Sequence, residues 1–231
     1  MIEEFPINWR RQGSVCHAGG VQRYLMVWTL GLLLLLAGTA GADAPPRLLV
    51  LGDSLSAAYG IEARQGWVAL LAQRLDGRAE VINASISGET SGGGAARLPD
   101  LLGQHAPDIV LLELGGNDGL RGLPPGQLRA NLARMIEASQ AAEAEVLLLG
   151  IDIPPNYGRA YRDAFTGVFR RLADDYALPL VPFLLEGVAL NDGLMQSDGI
   201  HPTAEAQPII LDNVWPALEP LLEAYLARTT G

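Results

Sequence analysis

The sequence predicts a three-layer α/β domain built on a parallel sheet of five strands. Two observations lead there. From residue 47 onward, short apolar runs alternate with stretches whose apolar residues recur at helical spacing. The central runs are apolar at nearly every position, as expected of strands covered by helices on both faces. A third observation fits the same layout. The segments with unusual chemistry each follow a strand, and active residues of such sheets collect outside the carboxyl ends of the strands.

The elements follow in order. Arg47-Leu48-Leu49-Val50-Leu51-Gly52 reads as a buried first strand. Residues 67–75 read as a helix, with Trp67, Leu70, Leu71 and Leu75 on one stripe. Residues 80–84 form the second strand and residues 95–102 a short helix. Residues 108–114 are an almost unbroken apolar run, the pattern of a central strand. Pro124-Pro125 opens a helix through about residue 142, proline being suited to a first helical turn. Residues 145–151 make the fourth strand, 161–176 a helix and 178–183 a shorter fifth strand. Residues 204–226 read as helical, in two pieces separated near Pro216.

Composition excludes several kinds of function. The chain has 231 residues and a hydrophobic content of 49%, enough for one α/β domain with an N-terminal extra. Its net charge of −10 argues against a nucleic-acid partner and against docking on anionic lipid. All 16 basic residues are Arg, so lysine chemistry is absent: no Schiff base, no Ser-Lys dyad, no P-loop lysine. The single cysteine, Cys16, allows no disulfide framework, and His17, His105 and His201 lack zinc-ligand spacing. No metal site is expected.

Residues 1–42 read as a secretory signal region, with residues 43–231 as the functional domain. Arg10, Arg11 and Arg23 precede an uncharged run at 25–42 centred on Leu32 to Leu36, and small residues close it. Ala40-x-Ala42 suits cleavage after Ala42. The location implied is periplasmic or secreted. A retained anchor is the alternative, although 18 residues with a Gly/Ala/Thr-rich tail make a poor membrane core. Met26 directly precedes the apolar run, so the start is possible there too.

The chemistry begins at Ser54, in a turn directly after the first strand. A serine hydroxyl is a weak nucleophile and needs a neighbouring base. The Gly-x-Ser-x-Gly elbow is missing, since position 56 is Ser, and a helix-capping serine would suit the same turn. His201 is a candidate base, with Asp198 three residues before it to hold its Nδ1. Pro202 restricts the His201 backbone to an extended form. Gly88 can offer a backbone N–H, and Asn117 a side-chain NH₂, to a developing oxyanion. Taken singly, Gly88 fits a turn glycine and Gly115-Gly116 a tight strand exit better than they fit a site.

Together these segments resemble the GDSL, or SGNH, hydrolase family. The blocks are Gly52-Asp53-Ser54-Leu55-Ser56, Gly88, Gly116-Asn117-Asp118 and Asp198-Gly199-Ile200-His201, in family order. The likeness covers about residues 46–227. It is closer still to a branch of periplasmic thioesterases, lysophospholipases and arylesterases. It implies a flavodoxin-like fold and a Ser54, His201 and Asp198 triad. It also implies an oxyanion hole from the Ser54 and Gly88 N–H groups and the Asn117 amide, and no cofactor. Expected substrates are small acyl esters, thioesters or lysophospholipids, handled by a monomer with no stable membrane insertion of the domain. Leu120, Leu123, Ile153 and Pro155 are candidates for an acyl groove. Two rival readings are a carbohydrate O-acetyl esterase of the same family and a non-catalytic flavodoxin-like binding module.

Overall fold

The computed structural model describes residues 44–229. The signal region read at 1–42, with Cys16, lies outside the described residues. The elements are β1 (Arg47–Gly52), α1 (Trp67–Leu75), β2 (Glu80–Asn83), α2 (Ser91–His105), β3 (Ile109–Glu113), α3 (Gly116–Leu120), α4 (Pro125–Ala141), β4 (Glu145–Leu149), α5 (Arg159–Tyr176), β5 (Leu180–Val181) and α6 (Gln207–Thr229).

The five strands form one parallel sheet in the order β2-β1-β3-β4-β5. The chain moves outward from β1 to β2, then returns past β1 and builds in the other direction. Right-handed crossovers therefore place α1 on one face and α2, α4 and α5 on the other. The packing agrees: α1 lies against α6, α2 against α4, and α4 against α5. The reversal between β1 and β3 opens a crevice at their carboxyl ends, where the loops splay apart.

The core explains the strand sequences. Leu48, Leu49, Val50 and Leu51 of β1 and Ile109, Val110, Leu111 and Leu112 of β3 are wholly buried. Trp67, Phe165 and Phe169 are the largest buried side chains of the flanking layers. Each such side chain contributes about 1.5–3 kcal/mol on leaving water.

Four features differ from the sequence reading. Helix α2 starts at Ser91, because Thr90 caps it by accepting a 3.3 Å bond from the Gly93 N–H. The Gly92-Gly93-Gly94 run is thus a first helical turn. Strand β5 keeps only two residues. Helix α3 was not expected at all. Helix α6 is not broken at Pro216; it runs from Gln207 to Thr229 with Pro216 and Pro220 inside it. Both prolines are exposed, while Ile210, Leu211, Val214, Leu218 and Leu222 keep a buried stripe across them. The missing N–H donors thus fall on the solvent side of the helix.

Candidate active site

Strand β1 delivers Gly52 and then turns sharply. A Cβ at Gly52 would stand 2.6 Å from Glu113 Oε2 and 2.8 Å from Ser56 Oγ, so only glycine lets the turn close over β3. The turn is held by Ala57 N–H donating to the Asp53 carbonyl at 3.0 Å and Tyr59 N–H to the Ser54 carbonyl at 3.2 Å. Ser54 stands half-buried at its tip.

A second loop reaches it from far along the chain. His201 Nε2 lies 2.9 Å from Ser54 Oγ, across 147 residues of sequence. His201 Nδ1 lies 2.6 Å from Asp198 Oδ2. A carboxylate only accepts, so Nδ1 carries the proton and Nε2 of the neutral ring is left to accept from the serine. The other Asp198 oxygen accepts from the backbone N–H of Ile200 at 2.9 Å and of His201 at 3.0 Å. These donors, the imidazole first, hold the Asp198 carboxyl down at about 2.

The loop itself is stapled in place. Gln196 Nε2 donates to the Tyr59 carbonyl at 2.8 Å and to the Pro202 carbonyl at 2.9 Å. The Gln196 N–H donates to the His201 carbonyl at 2.7 Å. The Tyr59 ring packs on the imidazole with centroids 4.3 Å apart. Gln196 therefore ties the His201 loop to the Ser54 loop. It escaped the sequence reading because no spacing relates it to either partner.

Of the three donors expected for an oxyanion hole, Ser54 and Asn117 line the same cavity, and Gly88 is not among its lining residues. Neither the Ser54 N–H nor the Gly88 N–H has an acceptor among the described residues. Gly88 has φ +82°, a conformation that other residues adopt at a cost. Its carbonyl accepts from Arg121 at 3.0 Å. Asn117 on α3 donates from Nδ2 to Asp53 Oδ2 at 3.0 Å and to the Glu89 carbonyl at 3.0 Å. A carbonyl oxygen only accepts, so the Glu89 bond fixes which end of the amide is the donor.

Helix α3 is positioned by a buried network that the sequence did not disclose. Asp118 accepts from the Ser91 N–H at 2.8 Å and the Ser91 hydroxyl at 2.5 Å. Asn131 of α4 donates to the same hydroxyl at 2.9 Å. The carboxylate thus caps the positive end of α2 and locks Asn117 to the sheet edge.

Beneath the serine lie two acids. Asp53 accepts from the Leu55 N–H at 3.0 Å and from Asn117, and its own N–H donates to Glu113 Oε2 at 3.1 Å. Ser56 Oγ donates to the same Glu113 oxygen at 2.7 Å. Glu113 Oε1 is buried without a partner in the protein. Burial raises the pKa of both carboxyls, Asp53 to about 6 and Glu113 well above its usual 4.5; the charge of Asp118 adds to the first shift and that of Asp53 to the second.

An apolar cavity of about 450 Å³ opens beside Ser54 and His201. Ile151, Phe183, Leu185 and Met195 line it, and so do Leu120, Ile153 and Pro155. Leu123 does not line it; it is half-buried, and its carbonyl accepts from the Tyr161 hydroxyl at 2.7 Å. One wall carries Asp152, paired with Arg162 through Nε at 2.7 Å and through a second guanidinium nitrogen. Among the described residues, no group of three or more His, Cys, Asp or Glu could hold a metal ion, and no helix is long and apolar enough to cross a membrane.

A parallel 2-1-3-4-5 sheet with a serine, histidine and carboxylate in line at its switch point defines a class of α/β enzymes, and comparison with known proteins narrows it. Residues 50–208 match the GDSL-like Lipase/Acylhydrolase family. The chain is 55% identical over 193 residues to Esterase TesA of Pseudomonas aeruginosa, covering 82% of this chain and 94% of that one. It is 49% identical over 195 residues to Thioesterase 1/protease 1/lysophospholipase L1 of Escherichia coli, covering 84% and 94%. The solved structure of the psychrotrophic esterase EstA from Pseudoalteromonas sp., inhibited by monoethylphosphonate, superposes with a TM-score of 0.73 at 45% identity, covering 77% and 98%. The chain belongs to the GDSL-like lipase/acylhydrolase family.

Proposed function

We propose that this protein is a serine esterase that hydrolyses acyl esters and thioesters through an acyl-enzyme. One observation carries the reading: an unbroken relay of 2.9 Å and 2.6 Å joins the Ser54 hydroxyl, the His201 imidazole and the Asp198 carboxylate beside an apolar cavity. The names of its relatives support the substrate class: an esterase and a thioesterase and lysophospholipase.

The chemistry proceeds in two balanced halves. His201 Nε2 takes the Ser54 proton as Oγ attacks the acyl carbonyl carbon. The carbonyl electrons move to oxygen, which meets the Ser54 and Gly88 N–H groups and the Asn117 amide. Asn117 turns one N–H from the Glu89 carbonyl to this oxyanion. The oxyanion collapses, the imidazolium returns the proton to the leaving oxygen or sulfur, and an alcohol or thiol departs. Water then attacks the acyl-enzyme, again deprotonated by His201, and the free acid leaves as Ser54 regains its proton. Asp198 stays ionised throughout and stabilises the imidazolium.

All three groups come from one chain, which suits a working monomer. The leader-like composition of residues 1–42 supports export to the periplasm or medium, with removal of that segment. A flavodoxin-like binding module would have no use for the relay. The test is Ser54→Ala assayed on p-nitrophenyl octanoate. We expect a loss of at least about 10³-fold in kcat/KM. A variant that keeps the wild-type rate overturns the assignment.

A further inference from the structure

We propose that Arg97 is a positioning residue for the oxyanion hole: it clamps the Glu89 side chain and so sets the loop that carries Gly88 and aims the Asn117 amide. The inference rests on the esterase reading above and adds a residue that acts on the site from behind. Arg97 is not among the residues that line the cavity, so its effect passes through its neighbours.

The loop joins β2 to α2 and runs from Ala84 to Thr90. Arg97, in the second turn of α2, reaches back to both ends of it. Its Nε donates to Glu89 Oε1 at 2.9 Å, and its Nη2 donates to Glu89 Oε2 and, at 2.8 Å, to the Ala84 carbonyl. A planar guanidinium grips a carboxylate in this forked way, which an ammonium does not. Gly93 leaves the room: a Cβ there would stand 3.0 Å from Glu89 Oε1. Between the two gripped ends, the Glu89 N–H donates to the Ile86 carbonyl at 3.1 Å and closes a tight turn over Ser87 and Gly88. Glycine has little conformational preference of its own, so the direction of the Gly88 N–H depends on how the turn is held. The Glu89 carbonyl also accepts from Asn117 Nδ2 at 3.0 Å. One clamp therefore sets two of the three donors.

Burial argues that the pair serves geometry. The Glu89 side chain is 8% exposed, against 20% for Asp152, the next most buried acid paired with an arginine among the described residues. Desolvation offsets most of the attraction in such a pair, so it adds little stability over an apolar pair of similar size. What it supplies is a single loop conformation. Oxyanion donors act only within about 2.7–3.1 Å of the developing charge, so a shift too small to disturb packing still slows the reaction.

The test is the double variant Glu89→Met/Arg97→Met in the full protein, which removes both charges and leaves neither unpaired, with Arg97→Met beside it. Each is assayed on p-nitrophenyl octanoate and with an octyl trifluoromethyl ketone, and its melting is followed. The ketone bonds to Ser54 Oγ as a hemiketal oxyanion while the serine proton passes to His201. We expect kcat of the double variant to fall about 10–100-fold, part of what losing a donor outright costs, with KM changed less than about twofold. The inhibition constant of the ketone rises by the same factor. The double variant melts near the parent, and Arg97→Met, with a buried carboxylate left alone, melts lower. A double variant with parental kcat overturns the proposal. So does a loss confined to KM, or a fall in kcat with the ketone bound as tightly as before. A double variant that is unfolded at the assay temperature overturns it too, since the pair would then hold the fold rather than the site. Ser54→Ala in the same assays separates the two readings: if it turns over like the parent, the esterase reading fails, whereas parental kcat in the double variant beside an inactive Ser54→Ala sinks the clamp alone.

Discussion

Asn117 is bound on both of its amide protons, to Asp53 and to the Glu89 carbonyl, before any substrate arrives. Such a donor is oriented in advance and needs only to exchange one neutral acceptor for a charged one. Asn117→Ala should therefore lower kcat about 10²–10³-fold with little change in KM; steady-state kinetics on an octanoyl ester check it. Glu113 makes a different kind of prediction. Burial lifts its pKa, so the folded protein holds that proton more tightly than the unfolded chain does. Stability from this group is then full at acid pH and declines as pH rises above about 4.5, the ordinary value. Melting curves of Glu113→Gln should show a flatter dependence than the parent as pH rises above about 4.5. The sequence made Ser54, His201 and Asp198 legible because each sits in a short block with its own chemical logic. Glu113 was hidden, since it reads as one more residue within an apolar strand and its partner Ser56 lies 57 residues upstream. Gln196 and Asp118 were hidden for the same reason: a hydrogen bond across the fold leaves no local pattern.

Helix α6 shows how a buried stripe outweighs local propensity. Pro216 was read as a break because proline removes an N–H and crowds the preceding turn. The helix persists because five apolar residues continue to face the core across it. The cost is carried in solvent, so Pro216→Ala should raise stability by on the order of 1–2 kcal/mol, after allowing for the stiffer unfolded chain that proline provides. Urea denaturation of the two proteins checks it, and a destabilised variant would mean that Pro216 has a packing role. The opposite lesson comes from α3. Gly116–Leu120 is too short and glycine-rich to announce a helix, and it forms because Asp118 is anchored by Ser91 at the start of α2. Helix α2 in turn starts early because Thr90 caps it. These elements are made by their neighbours, which is why the apolar pattern located the strands well and the helix ends poorly.

At the scale of the whole molecule, the 2-1-3-4-5 strand order is what joins the head and tail of the chain. It places β1 and β3 side by side, so Ser54 and Asn117 emerge at one crevice, and the loop ahead of α6 closes over it with His201. The alternation of apolar strands and periodic helices was enough to reveal that sheet, and the strand-end rule was enough to put the blocks on one edge. The cavity was less legible, since its walls come from the loops after β4 and β5 and from the loop ahead of His201. The proposed hydrolysis depends on Ser54 being the group that His201 activates. The most direct measurement is fluorophosphonate labelling of the full protein followed by peptide mass spectrometry, with His201→Ala beside the parent. We predict one adduct, on Ser54, with labelling of His201→Ala slowed by at least about 10³-fold. An adduct on another residue, or equal labelling of the two proteins, would contradict it.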